Sequence, residues 1–382
     1  LLAVSTLAGA APYLPKDDTV VLERLPVRPG DPAAAELRRL RAEAAAAPAD
    51  AAAAVRLARR YFDLAMAEGD PRYIGYAEAA LKAWRAPADA PAQVLVLRAL
   101  LRQYRHDFDG ALEDLARAAE RDPESVEARA WSAAIYMVGA NYAGARRECE
   151  ALAAIASELL ATGCAAYLEA TTGKTREAYG RLRAALERRP DASAGMRLWV
   201  LTRLAEMAWR LGDAQAAERH FRDAFALGET DNFLLAAYAD FLLEQGRAAE
   251  VLALLRDWGR SDTLLLRLAL AARKLKLPES ERYVRTLGER FAAAALRGER
   301  LHLSEEARYL LDLRGDARAA LAAAALNWRS QREPRDAAVF LEAALAARDP
   351  QAAAPVLEWL EASGFEHPRL RRIAAELKAL AR

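Results

Sequence analysis

Residues 107–123 read DFDGALEDLARAAERDP. They place two aspartates at Asp-x-Asp-Gly spacing and follow them with carboxylates at Glu113, Asp114 and Asp122. Oxygen ligands in that order begin a calcium loop, and clustered carboxylates also serve acid–base catalysis. A calcium loop needs more oxygen ligands and a glutamate at its twelfth position, held in a loop. After Gly110, however, apolar residues recur at three and four, which predicts a helix. A second stretch, TTGKT at Thr171–Thr175, resembles a phosphate loop. The first glycine of that motif would fall on Leu168, and the preceding pattern is helical where a strand is required. The four histidines, His106, His220, His302 and His367, are far apart, and none begins H-E-x-x-H, so no zinc-ligand spacing is present. No G-x-S-x-G occurs to form a nucleophile elbow. The sequence therefore predicts no catalytic residue, no metal and no cofactor.

Composition narrows the class further. Of 382 residues, 55 are Lys or Arg and 54 are Asp or Glu, a balance that supplies no bulk field for nucleic acid or anionic lipid. The mixed charges read as solvated helix faces. The opening LLAVSTLAGA is apolar or small throughout and ends Ala8-Gly9-Ala10, a pattern that suits signal-peptidase cleavage before Ala11. Residues 1–10 are thus expected to be the remnant of a secretory signal, and the protein to be exported, to the periplasm. No later run is apolar over the eighteen or so residues that a membrane span needs. Residues 11–32 carry five prolines and one short β-like run, Thr19 to Leu25, and predict an extended arm.

From residue 33 to residue 382 the text is helical with short turns of Gly, Asp or Pro, and the helices repeat. The 107–123 stretch aligns with segments beginning at Asn141, Lys174, Asp213, Arg247 and Asp316. A small residue anchors the register at Ala77, Ala111, Ala145, Ala178, Ala217, Val251, Ala320 and Ala353. Successive gaps are 34, 34, 33, 39, 34, 69 and 33, the 69 spanning two units with one irregular copy between. Internal periodicity of this kind decides architecture before any site is named.

A unit of about 34 residues built from two antiparallel helices resembles the tetratricopeptide repeat, in particular that of exported bacterial proteins. In the unit from Ala92, Ala99, Phe108, Ala111, Ala118 and Pro123 fall where that family places its small, turn and terminating residues. In the unit from Leu198 the roles fall to Ala205, Gly212, Ala217, Phe221 and Ala224. The resemblance covers Ala51 to Ser363. It implies an all-α fold, a right-handed α-solenoid of about nine helix pairs with capping helices from Ala33 and from His367. The seventh unit departs from the pattern, with no glycine turn and a long second helix. On this reading the opening carboxylates are scaffold. Asp107 and Asp109 sit in an interhelical turn, Glu113 and Asp114 face solvent, and Asp122 precedes the closing proline.

The same frame sets Cys149 on a second helix and Cys164 on the next first helix, each about two turns from the intervening turn. They are then either a disulfide, which an oxidising compartment favours, or two small buried hydrophobes. In this family the first helices line a concave groove that holds partners. By alignment the groove positions are Arg59, Phe62, Tyr104, Tyr167, Trp199, Glu206, Trp209, Phe233, Asp240, Glu244 and Tyr309. The aromatic and acidic set from Trp199 to Glu244 suits an extended peptide with apolar and basic side chains, although each aromatic also suits packing between repeats. The expectation is a non-catalytic scaffold of the cell envelope that binds a protein or peptide, with neither nucleic acid nor a membrane span involved. The alternative is a fixed subunit of a larger envelope or secretion complex, joined through the arm and the outer faces.

Overall fold

The computed structural model describes residues 32–381 except 85, 87, 88, 230, 300 and 301, together with residues 17 and 20. The signal remnant expected over 1–10, and nearly all of the arm expected over 11–32, lie outside the described residues.

The described chain is all-helical. A leading helix α1 (Pro32–Ala46) precedes α2 (Ala51–Glu68) with α3 (Arg72–Ala80), α4 (Ala92–Tyr104) with α5 (Phe108–Arg121), and α6 (Val126–Val138) with α7 (Tyr142–Ile155). Then come α8 (Glu158–Thr171) with α9 (Thr175–Glu187), α10 (Ala194–Arg210) with α11 (Ala214–Phe225), and α12 (Asn232–Glu244) with α13 (Ala248–Leu255). The last pairs are α14 (Asp262–Lys274) with α15 (Glu279–Leu296), α16 (Leu303–Tyr309) with α17 (Ala317–Asn327), and α18 (Pro334–Ala347) with α19 (Ala354–Ser363). Helix α20 (Pro368–Leu380) closes the chain. Even-numbered helices are the first members of their pairs. The result is an α-solenoid of nine helix pairs among the described residues.

The sequence anchors explain why the pairs nest. All eight, from Ala77 to Ala353, are fully buried on second helices or at their starts. A methyl group or little more lets two axes approach, and larger neighbours fill the space beside them. In the irregular seventh unit the place is taken by Val284, which lies 33 residues beyond Val251 and is buried on α15. Caps recur with the same period. Asp107, Asn141, Asp213 and Asp316 each accept a backbone N–H at the start of a second helix. Ser125, Ser157, Ser193, Asp231 and Ser261 do so for first helices. Each such cap is worth about 1 kcal/mol. The turn inside a pair needs one left-handed residue. Gly212 supplies it at φ 81, and His106, Ala140, Lys276 and Arg348 adopt the same conformation with a side chain attached. Lys276 is thus what the seventh unit uses in place of glycine.

One expectation fails here. Asp114 does not face solvent but is fully buried, 3.4 Å from both Arg98 and Arg102 of α4. The cause is that α5 turns this position toward its own partner helix, where burial pushes the carboxyl up from its ordinary value and two guanidinium groups offset only part of that cost.

The solenoid also winds tightly enough for one superhelical turn to rest on the next. An open stack would join each pair only to its neighbours. Here the turns inside pairs two to four meet the last pairs and the closing helix. Gln331 Nε2 lies 3.2 Å from His106 Nδ1, and the Arg332 amide donates to the Val138 carbonyl at 2.8 Å. Trp359 Nε1 donates to the Tyr142 hydroxyl at 2.8 Å, and the Thr175 amide donates to Glu366 at 3.0 Å. At the closest approach a Cβ on Gly173 would stand 3.1 Å from the Gly364 carbonyl oxygen.

Candidate binding chamber

Because the turns stack, the concave face narrows to a half-open chamber of about 630 Å³. Its wall is made by the first helices α8, α10, α12, α14, α16 and α18, closed by the start of α20. Six of the eleven groove residues expected from sequence stand on that wall: Tyr167, Glu206, Trp209, Phe233, Asp240 and Glu244. The other five lie elsewhere. Arg59 forms an ion pair with Glu127 of α6 at 2.6 Å, and Phe62 is buried edge-on against Trp131. Burial pushes the Tyr104 hydroxyl up to about 12. Trp199 fills the notch left by Gly163 on the preceding first helix, where a Cβ would stand 2.3 Å from the indole. Tyr309 is buried against Phe291. These last residues hold the repeats together.

The chamber holds a chain of stacked aromatic and cationic groups. Arg203 lies over Tyr167 at 4.5 Å and over Phe233 at 4.7 Å, and Arg335 covers Phe233 at 5.7 Å. The order Tyr167, Arg203, Phe233, Arg335 ties α8, α10 and α12 to α18 across the cavity, each contact contributing about 1 kcal/mol. Sequence reasoning missed both arginines, which charge patterning assigns to solvated faces. The available signal was that they lie on first helices, as the expected groove residues do.

The acidic groups that would attract a basic peptide are already engaged. Glu206 accepts from Arg203 at 2.8 Å. Asp240 is 2.6 Å from both Arg267 and Arg308; burial opposes its ionisation, but the two guanidinium groups prevail and hold it down at about 2. Glu244 accepts from Trp209 Nε1 at 3.0 Å and faces Arg369 at 3.5 Å. Arg369 also pairs with Glu342 at 2.8 Å. A charge-matched wall of this kind is polar without being strongly of one sign.

Among the described residues, no three His, Cys, Asp or Glu side chains are placed to hold a metal ion, and no helix is long and apolar enough to cross a membrane. The phosphate-loop-like stretch is the turn between α8 and α9, where Thr172 and Thr175 donate to carbonyls of α8 and the Thr175 amide is given to Glu366. Cys149 and Cys164 are joined as a disulfide across α7 and α8, with Cα atoms 5.5 Å apart.

No family profile matches the chain, and none of the curated proteins matches it. Among solved structures, the APC/C hetero-tetramer Cut9-Hcn1 superposes with a TM-score of 0.50 at 14% identity, covering 85% of this chain and 62% of that one. The likeness shows the fold alone, an α-solenoid of helix pairs, and the chain spans about three fifths of the length of that neighbour. The P58(IPK) TPR domain (TM-score 0.24, 14% identity, 91% and 93% covered) and Naa15/Naa10 bound to HypK-THB (0.29, 16%, 92% and 57%) superpose too loosely to add to it.

Proposed function

We propose that the protein is a non-catalytic interaction scaffold of the cell envelope, holding a short segment of a partner protein inside the chamber. The observation that carries this reading is the half-open chamber on the concave face, whose walls are first helices presenting aromatic and charged side chains together. Its volume falls in the range of about 300–1,000 Å³ typical of small-ligand sites, so it suits a few residues of extended chain rather than a domain. Apolar side chains would lie on Trp209 and along the edge of the Arg203–Phe233–Arg335 stack, and backbone groups would find donors and acceptors among the paired charges. Export is supported by the Cys149–Cys164 disulfide, since such bonds persist in oxidising compartments.

The test is affinity capture from an envelope extract with wild-type protein, Trp209→Ala and Phe233→Ala. Arg59→Ala, away from the chamber, serves as the control. Specific partners lost with the two wall variants and kept by the control support the proposal. Capture that is indifferent to the wall variants would move binding to the outer faces, as in a fixed subunit of a larger complex.

A further inference from the structure

Eight Lys or Arg and seven Asp or Glu line the chamber. Six of the eight cations have a carboxylate within 4 Å, Arg273 through Glu281 at 3.7 Å. Among the described residues, Arg210 and Lys274 have none. Arg210 donates to two neutral acceptors, the Ala170 carbonyl at 2.9 Å and Thr175 Oγ1 at 3.1 Å, and stacks on Phe365 at 4.6 Å. Its Nε is buried without a hydrogen-bond partner. Lys274 donates to the Leu243 carbonyl at 3.0 Å. Carbonyl dipoles at helix ends favour a cation but leave its unit charge unmatched. Burial accordingly pulls the Arg210 guanidinium down to about 10. The nearby acids are committed elsewhere: Glu206 to Arg203, Glu244 to Trp209 and Arg369, and Glu366 to the Thr175 amide.

The two cations without a carboxylate, half-buried Arg210 and solvent-exposed Lys274, are the last residues of α10 and α14, with α12 and its terminal Glu244 between them. Packed helix axes are about 8–10 Å apart, so two spacings separate the cations by roughly 16–20 Å. An extended chain rises about 3.3 Å per residue and returns a side chain to the same face at every second position. We infer that the chamber takes an extended acidic peptide whose two carboxylate side chains, about six residues apart, meet Arg210 and Lys274. This rests on the chamber reading above and reverses the basic peptide expected from sequence, because the wall's own acids are neutralised by arginines on other helices.

The test is fluorescence polarisation on the full chain with an end-capped, labelled peptide carrying two glutamates about six positions apart. Glutamine and lysine counterparts and a single-stranded oligonucleotide are measured alongside. The glutamate peptide is expected to bind, the glutamine peptide to bind at least roughly tenfold more weakly, and Arg210→Met and Lys274→Met each to lower affinity by a similar factor. Arg210 also ties α8 to α10, so Lys274→Met carries the test if Arg210→Met melts early. Tighter binding of the glutamine or lysine peptide or of the oligonucleotide, or indifference to Lys274→Met, overturns the inference and leaves the chamber reading standing where a peptide still binds and Trp209→Ala abolishes it. Failure of all three peptides to bind removes both.

Discussion

Replacing Gly173 by alanine separates the contact between superhelical turns from the backbone strain of the turn itself. Gly173, Gly212 and Gly246 occupy the same place in three successive pairs, with φ of 88, 81 and 75. A Cβ at any of them costs about 1–2 kcal/mol for the left-handed conformation. At Gly212 and Gly246 it would meet nothing within 4 Å, whereas at Gly173 it would press on the Gly364 carbonyl oxygen at 3.1 Å. That neighbour is backbone and cannot swing away, so overpacking adds about 1–3 kcal/mol. Gly212→Ala and Gly246→Ala should therefore cost about 1–2 kcal/mol each, and Gly173→Ala about 2–5 kcal/mol. Repeat arrays of this length need not melt in one step, so calorimetry is paired with hydrogen exchange. Gly173→Ala alone should raise exchange at the Thr175 amide, which is held by Glu366. If all three variants melt alike and exchange at Thr175 is unchanged, the turn-on-turn contact contributes nothing and the reasoning is wrong.

The disulfide closes a sequence separation of 15 residues, so reduction should remove about 3 kcal/mol and lower the melting temperature of the α7–α8 region; two titratable thiols in the untreated folded protein would contradict it. His106 and His367 lie at contacts between turns, and burial pulls each down to about 4. Both stay neutral in the fold while the unfolded chain takes up protons below about 6.5, so their stabilisation is present above that pH and is lost as pH falls toward 4. The loss is about 3 kcal/mol each, and His106→Gln should flatten the pH dependence of melting between pH 7 and 4. Asp240, held down at about 2, contributes stability above about pH 4 that disappears as pH falls through 2. Asp240→Asn leaves Arg267 and Arg308 without their shared carboxylate, and a loss of about 3 kcal/mol at pH 7 should appear in denaturant unfolding.

What could be read from the sequence is what repeats. The alanine anchors and the Asp, Asn and Ser caps recur because every pair solves the same packing problem, so their period survives even where the seventh unit replaces glycine with Lys276. Contacts made only once were hidden. Gln331, Trp359 and Glu366 reach turns 225, 217 and 191 residues away, and those meetings depend on small rotations summed over several pairs. The chamber was half visible for the same reason. Tyr167, Phe233 and Asp240 follow from helix register, but the partners of Asp240 come from helices 27 and 68 residues further on. Counting acids along the chain therefore overstated how negative the wall is. Asp114 was misplaced because a charged side chain inside a helix reads as exposed until its flanking arginines are seen in space.

The most direct measurement is a short thiol-to-thiol crosslink between positions 106 and 331, introduced as His106→Cys and Gln331→Cys and mapped by mass spectrometry after reaction of the folded protein. A closed superhelix brings these side chains to within hydrogen-bonding distance, 3.2 Å, across 225 residues of sequence, so near-complete crosslinking is expected. In an open stack, where each pair touches only its neighbours, positions six pairs apart would not meet. Absence of the 106–331 crosslink under conditions that modify both thiols would contradict the contact between superhelical turns.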